Sequence, residues 1–206
     1  AGQGGPTKGT HGGYNLTEGF GEVRIPIVQD MPFFEDLSAN AGYRYSSYNL
    51  AGAVNSYKYG AEWQPIDDFR LRASFQRAVR APNVIELFTP QSLGLWGGSD
   101  PCAGSDPAGT NGFATLANCE KTGMTAGQYK NTPQCVSGQC GGLFGGNLNL
   151  HPETSDTTEF GIVLTPTFLD GFTATVDYFD IDLEGAIGVI PQRNILQLCA
   201  TQGILC

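Results

Sequence analysis

Six cysteines, at positions 102, 119, 135, 140, 199 and 206, are the residues of this 206-residue chain best suited to chemistry. They could ligate a metal, react as thiols or pair as disulfides. Structural zinc sites favour CxxC-type pairs with partner histidines; no CxxC occurs here and His151 stands alone. An even set in loop-like sequence suits disulfides, with fifteen possible pairings. Short loops cost the least chain entropy to close, which favours Cys102–Cys119, Cys135–Cys140 and Cys199–Cys206. Reduced loop thiols are the alternative. Disulfides imply an oxidising compartment such as a periplasm or a cell surface.

Catalytic chemistry finds no constellation. The two histidines, His11 and His151, fall in loop-like sequence and no GxSxG nucleophile motif occurs, so no catalytic residue is assigned. The glycine-rich stretches lack the GxGxxG and GxxxxGK orders that cradle phosphates, and no cofactor is expected. Asp177, Asp180, Asp182 and Glu184 offer hard oxygen ligands close together, as calcium requires. Their spacing crosses an apparent shift of strand phase, however, so a solvated rim is the preferred reading and no metal site is assigned. Trp96, Phe113, Tyr129 and Phe144, set among Gly and Asn, could stack on a sugar or a catecholate, or pack among themselves around the disulfides. A net charge of -9 with no basic stripe argues against a nucleic-acid partner.

The elements that must carry these residues are strands. From Leu37 to Arg80 apolar and polar residues alternate, broken only at short turn-like spots. Tyr57, Tyr59, Ala61 and Trp63 oppose Lys58, Gly60, Glu62 and Gln64; Phe69, Leu71, Ala73 and Phe75 oppose Arg70, Arg72, Ser74 and Gln76. Period two over this length means antiparallel strands with one apolar and one wet face. The pattern predicts strands over about 15–28, 37–48, 55–64, 69–80, 157–165 and 172–184, and a short helix near 194–201. In the first strand Val23, Ile25 and Ile27 share a side, and Pro26 marks a strand end or a bulge. The stretch from 81 to 152 reads as one long excursion without regular structure.

The odd-numbered connections (29–36, 64–69 and 166–171) are short, each with a proline, an aromatic or Ile, and an acidic residue; the even-numbered ones read as longer and variable. Short turns on one rim and long loops on the other is the organisation of outer-membrane β-barrels. With the wet face inward, Arg70, Arg72, Arg80, Glu62 and Glu159 line the lumen, either to contact other parts of the protein or cargo, or as generic solvation and cross-strand ion pairs, the preferred reading. Arg77 falls on the apolar phase. At mid-bilayer its charge would cost about 2–4 kcal/mol, so it belongs near the outer interface or beyond a bulge. No run of about 18 apolar residues occurs, so no transmembrane helix is expected. The opening Ala1-Gly2-Gln3-Gly4-Gly5 has no leader character, which suggests a piece of something longer.

Two segments carry a family resemblance. Ser74-Phe75-Gln76-Arg77-Ala78-Val79-Arg80-Ala81-Pro82, followed by Glu86-Leu87-Phe88, resembles the strand-to-loop motif of TonB-dependent outer-membrane receptors. Leu150-His151-Pro152-Glu153, running on to Glu159-Phe160-Gly161, resembles that family's re-entry into the next strand, and 176–183 and the loop after Asp100-Pro101-Cys102 fit as well. The resemblance implies an all-β, antiparallel up-and-down meander of about six strands, part of a 22-stranded transmembrane β-barrel with a plugged lumen. It implies residence in a Gram-negative outer membrane and contact with its lipid. It also implies TonB engagement through a plug that lies outside this chain, and energised uptake of a small-molecule nutrient: an iron-siderophore, a cobalamin or an oligosaccharide.

The sequence is thus expected to form a single partial barrel domain over 1–206, with a long extracellular Cys-rich loop at 81–152 and a second at 185–206. Six strands leave two open edges, so a barrel fragment is the reading. A secreted all-β ligand-binding or adhesion module is the alternative, and an outer-membrane phospholipase-like enzyme ranks third.

Overall fold

The computed structural model describes residues 8–104 and 114–206. Six strands form one antiparallel sheet: β1 (Leu16–Met31), β2 (Phe34–Tyr48), β3 (Gly52–Ile66), β4 (Phe69–Arg80), β7 (Glu153–Leu164) and β8 (Ala174–Glu184), in the order β1-β2-β3-β4-β7-β8. Between β4 and β7 lie α1 (Val84–Phe88), β5 (Ser92–Gly97), α2 (Leu116–Glu120) and β6 (Gln139–Phe144), and α3 (Gln192–Gln202) follows β8. β5 and β6 pair as a separate two-stranded ribbon.

The alternation produces the sheet, and its register aligns like faces. Leu37, Trp63, Leu71, Ile162 and Val176 fall in one cross-strand row; Ala39, Ala61, Ala73, Phe160 and Tyr178 fall in the next. The register shifts between Pro26 and Val28, so Pro26 marks a bulge. Val28 rather than Ile27 then pairs with Leu37, which removes Ile27 from the apolar row expected of it. The β1–β2 turn has Pro32 at its first corner and Phe33 at φ 66° at its second. Proline pre-sets the first corner of a type II turn, and the second requires a positive φ.

Two expectations about connections are corrected. The β2–β3 connection is only Asn49, Leu50 and Ala51, closed by Gly52 at φ 79°, not a loop reaching Asn55. It is shorter than the β7–β8 connection at 165–173. The polarity of loop lengths therefore rests on 81–152 and on the stretch after β8. The 81–152 excursion is also not structureless, since it holds α1, β5, α2 and β6.

The chain divides into two compact units: the sheet, Gly12–Leu87 with Leu148–Ile187, and a loop unit, Phe88–Asn147 with Gly188–Cys206 and the segment ending at His11. Burial in the sheet is the reverse of a soluble domain's. Its apolar face is open, with Val176 69%, Tyr59 55% and Phe160 55% exposed, whereas its buried side chains include Ser38 and Ser46. A large contiguous exposed apolar surface marks an interaction with a partner or a membrane. The loop unit has its own small core, where Cys102, Ala114, Cys119 and Ala200 are buried and Met124 and Tyr129 pack on them.

Candidate functional site

Strand register brings Arg70, Arg72, Arg80, Glu62 and Glu159 onto a single face of the sheet, opposite the apolar rows. Arg70 lies 3.9 Å from Glu62, and Arg24 is 3.7 Å from both Glu62 and Asp36. Arg72 bonds Asp177 at 2.7 Å and approaches Glu159 at 3.8 Å; Lys58 reaches Glu22 at 3.1 Å. Every predicted lumen residue is thus tied to an opposite charge.

Sequence reasoning missed how these pairs are made possible. Arg72, Gly161 and Asp177 form one cross-strand row, so the Arg72–Asp177 bridge skips β7 and passes over Gly161. A Cβ on Gly161 would collide with Asp177 Oδ1 and Arg72 Nε. Glu22, Gly42 and Lys58 repeat the arrangement across β1, β2 and β3, and a Cβ at Gly42 would stand 3.0 Å from Lys58 Cε. A charge–glycine–charge row emerges only once register is known. Gly161→Val is expected to part the Arg72–Asp177 bridge and to destabilise the sheet by about 1–3 kcal/mol, the range for overpacking. Urea unfolding of the purified protein measures this. In an Asp177→Ala background the same replacement should cost less, and equal costs would refute the role of Gly161 in making room for the bridge.

Asp177 therefore leaves the acidic cluster. Asp180, Asp182 and Glu184 pair with Thr158, Asp156 and Thr154 on the other face of a β8 whose register does not shift. Among the described residues no group of His, Cys, Asp and Glu is arranged to hold a metal. Arg77 pairs with Asp156 and lies 5.6 Å from the centre of the Tyr57 ring. The β4 register is continuous against β7 and, from Leu71 to Arg77, against β3, so no bulge turns Arg77 inward. The row Arg77–Asp156–Asp182 instead marks where the apolar band ends.

At the end of β4, Arg80 contacts two carboxylates. Its Nε donates to Glu153 Oε1 and its terminal nitrogens reach Glu86 at 3.1–3.2 Å. Asn83 and Glu86 cap α1 reciprocally: Glu86 Oε2 accepts from Asn83 N at 2.7 Å and Asn83 Oδ1 accepts from Glu86 N at 2.9 Å. The Arg80 guanidinium, and then the Asn83 N–H, hold the Glu86 carboxyl below the usual glutamate range.

In the loop unit the disulfides are Cys102–Cys119, Cys135–Cys140 and Cys199–Cys206. α3 docks on the Cys102–Cys119 region: Asn118 Nδ2 donates to Ala200 O at 2.8 Å and Lys121 Nζ to Gly203 O at 3.2 Å. Within the loop unit, the segments Phe88–Asn147 and Gly188–Cys206 thus pack on one another. Tyr129 packs in that core and donates its hydroxyl to Ala114 O at 2.6 Å. The Phe144 ring lies over Gly94 and the Trp96 ring over Gly98 and Gly142; Phe113 lies outside the described residues. Trp96 also lines an open cavity of about 290 Å³ with Asp100, Gln192, Ile195, Leu196 and the Cys135–Cys140 bridge.

The family model described as "TonB dependent receptor-like, beta-barrel" matches residues 2–203. No curated protein matches the chain. Among solved structures, the siderophore receptor PirA from Pseudomonas aeruginosa is 24% identical, with 82% of this chain and 24% of that one covered and a TM-score of 0.51. PirA from Acinetobacter baumannii is 18% identical, with 82% and 18% covered and a TM-score of 0.52. A mutant of the ferric enterobactin receptor PfeA from Pseudomonas aeruginosa is 21% identical, with 82% and 18% covered and a TM-score of 0.51. At such identities the likeness is one of fold, and the chain spans only 18–24% of those proteins' lengths. With nearly its whole length matched by the family model, the chain belongs to the TonB-dependent receptor β-barrel family.

Proposed function

We propose that this chain supplies wall and extracellular loops to a receptor that imports an iron-siderophore, with the charged face of the sheet lining the lumen and energy drawn from TonB through a plug. As a member of its family the chain is a Gram-negative outer-membrane protein. The observation that carries the inward assignment is the set of ion pairs that skip a strand. Glu22–Lys58, Arg24–Glu62 and Arg72–Asp177 all lie on the charged face. Next-nearest strands are about 9.5 Å apart; side chains converge across that gap on a concave face and diverge on a convex one. The open apolar rows then meet lipid. In this arrangement Arg70, Arg72, Arg80, Glu62 and Glu159 stiffen a hydrated wall, and the stretches 81–152 and 185–206 supply extracellular loops, where cargo is met.

Siderophores as cargo are supported by the receptors the fold resembles, PirA and PfeA. The test is deletion of the parent gene in its host, followed by uptake of radiolabelled iron-siderophore under iron limitation, with and without a protonophore. Loss of a protonophore-sensitive iron uptake is expected. Undiminished iron uptake with loss of cobalamin or oligosaccharide uptake would reassign the cargo.

A further inference from the structure

We propose that Arg80 is a positioning residue that fastens the roots of the Cys-rich loop and of the stretch after β8 together, so that cargo capture by those loops depends on it; the role in capture rests on the receptor reading above. Downstream of Arg80 the chain passes between sheet and loop unit three times: out at Leu87–Phe88, back at Asn147–Leu148 and out again at Ile187–Gly188. A single guanidinium is bonded to the roots of the first two passages and reaches the third through Glu153. Glu86, beside the first, binds Arg80 through both carboxylate oxygens. Glu153 opens β7 after the second and accepts from Arg80 Nε. Its other oxygen accepts the backbone N–H of Ile187, the last residue before the third, at 2.8 Å.

The chemistry suits a lock. Arg presents several donors in a rigid fork, so it can hold two carboxylates at once, whereas Lys offers a single point charge. The carboxylates are the less exposed members, Glu153 at 15% and Glu86 at 24% of the side chain against 44% for Arg80. Fixing a residue's backbone costs conformational entropy. Roots ordered in advance spare that cost when cargo binds, and preorganisation appears as affinity. The Glu86 arm holds α1, and the Glu153 arm holds Ile187, 34 residues further along the chain than Glu153. Neutralising Arg80 should therefore release both, while neutralising Glu86 should release one.

Hydrogen exchange on the intact receptor in detergent micelles tests this without knowledge of the cargo. Arg80→Met is expected to raise amide exchange about tenfold or more at 83–88 and at 185–188 together, with 71–76 and 157–163 unchanged. Glu86→Gln should raise it at 83–88 alone, and Arg80→Lys should restore one root and not both. Unchanged exchange at Ile187 in Arg80→Met would overturn the lock, as would equal acceleration throughout the sheet. In cells, Arg80→Met should raise the half-saturating siderophore concentration about tenfold and leave the maximal uptake rate near normal. Unaltered half-saturation beside raised exchange would overturn the role in capture. Should the unaltered receptor import no siderophore, the cargo reading fails and the exchange result still decides the lock.

Discussion

Replacing Ala73 by arginine is expected to destabilise the membrane-inserted receptor by about 2–4 kcal/mol, the cost of a cation on the lipid face near mid-bilayer. Replacing Ser74 by arginine, one residue on, should cost less than about 1 kcal/mol. Ala73 lies between Ala61 and Phe160 in the centre of the apolar rows, with Ala39 and Tyr178 beyond them. None of these can neutralise a charge. Ser74 lies on the other face, 3.4 Å from Glu159 Oε2, where a new guanidinium would find a carboxylate and water. Adjacent residues of one strand thus differ in the solvent they meet. Denaturant unfolding of the intact receptor in lipid bilayers measures both. A smaller penalty at Ala73 than at Ser74 would reverse the assignment of the faces and leave the ion-paired face against lipid.

How much of this was legible beforehand depends on the range of the physics involved. Alternation is local, and it gave the six wall strands with their apolar and charged faces, as in Tyr57–Trp63 against Lys58–Gln64. Loop closure is also local, and it favoured the three short-range disulfides that the structure contains. Loop length was misjudged at β2–β3 because Ala53 and Val54 carry little pattern, and because Gly52 at φ 79° turns the chain sooner than composition suggested.

Pairing across the sheet was the hidden layer. Asp177 was grouped with Asp180 and Asp182 by proximity in sequence, yet it pairs through space with Arg72, 105 residues away. Glu86 reads as part of a family motif, and its pairing with Arg80 and Asn83 is set by the fold. Docking of α3 against Asn118 was illegible for the same reason, since nothing in Gln192–Gln202 names its partner. The secreted-module alternative fails with family membership, and the open apolar rows give the physical reason: a sheet built so would aggregate in water.

Removing the Cys102–Cys119 bridge by Cys102→Ala and Cys119→Ala together is expected to unfold the loop unit's core and leave the wall intact. Cys119 is fully buried and Cys102 almost so, and among the described residues the apolar ones gathered around them are few. A core this small supplies little stability by itself, and cross-links substitute for the missing burial. The bridge closes a sequence separation of 17, against 5 and 7 for the other two. Chain-entropy arithmetic gives it about 3 kcal/mol and each shorter one about 2 kcal/mol. The loss should spread to α3, because Asn118, whose side chain holds Ala200 O, lies next to Cys119. Protease should then cut within 114–135 and near 199–206 at much lower doses than in the unaltered receptor, while the wall strands keep their resistance. Cys135→Ala with Cys140→Ala should produce a milder and more local effect near 135–140. Were the Cys102/Cys119 variant as resistant as the parent across 114–135 and 199–206, the bridge would not be what holds the loop unit together, and the shared core of α2 and α3 would have to stand on packing alone.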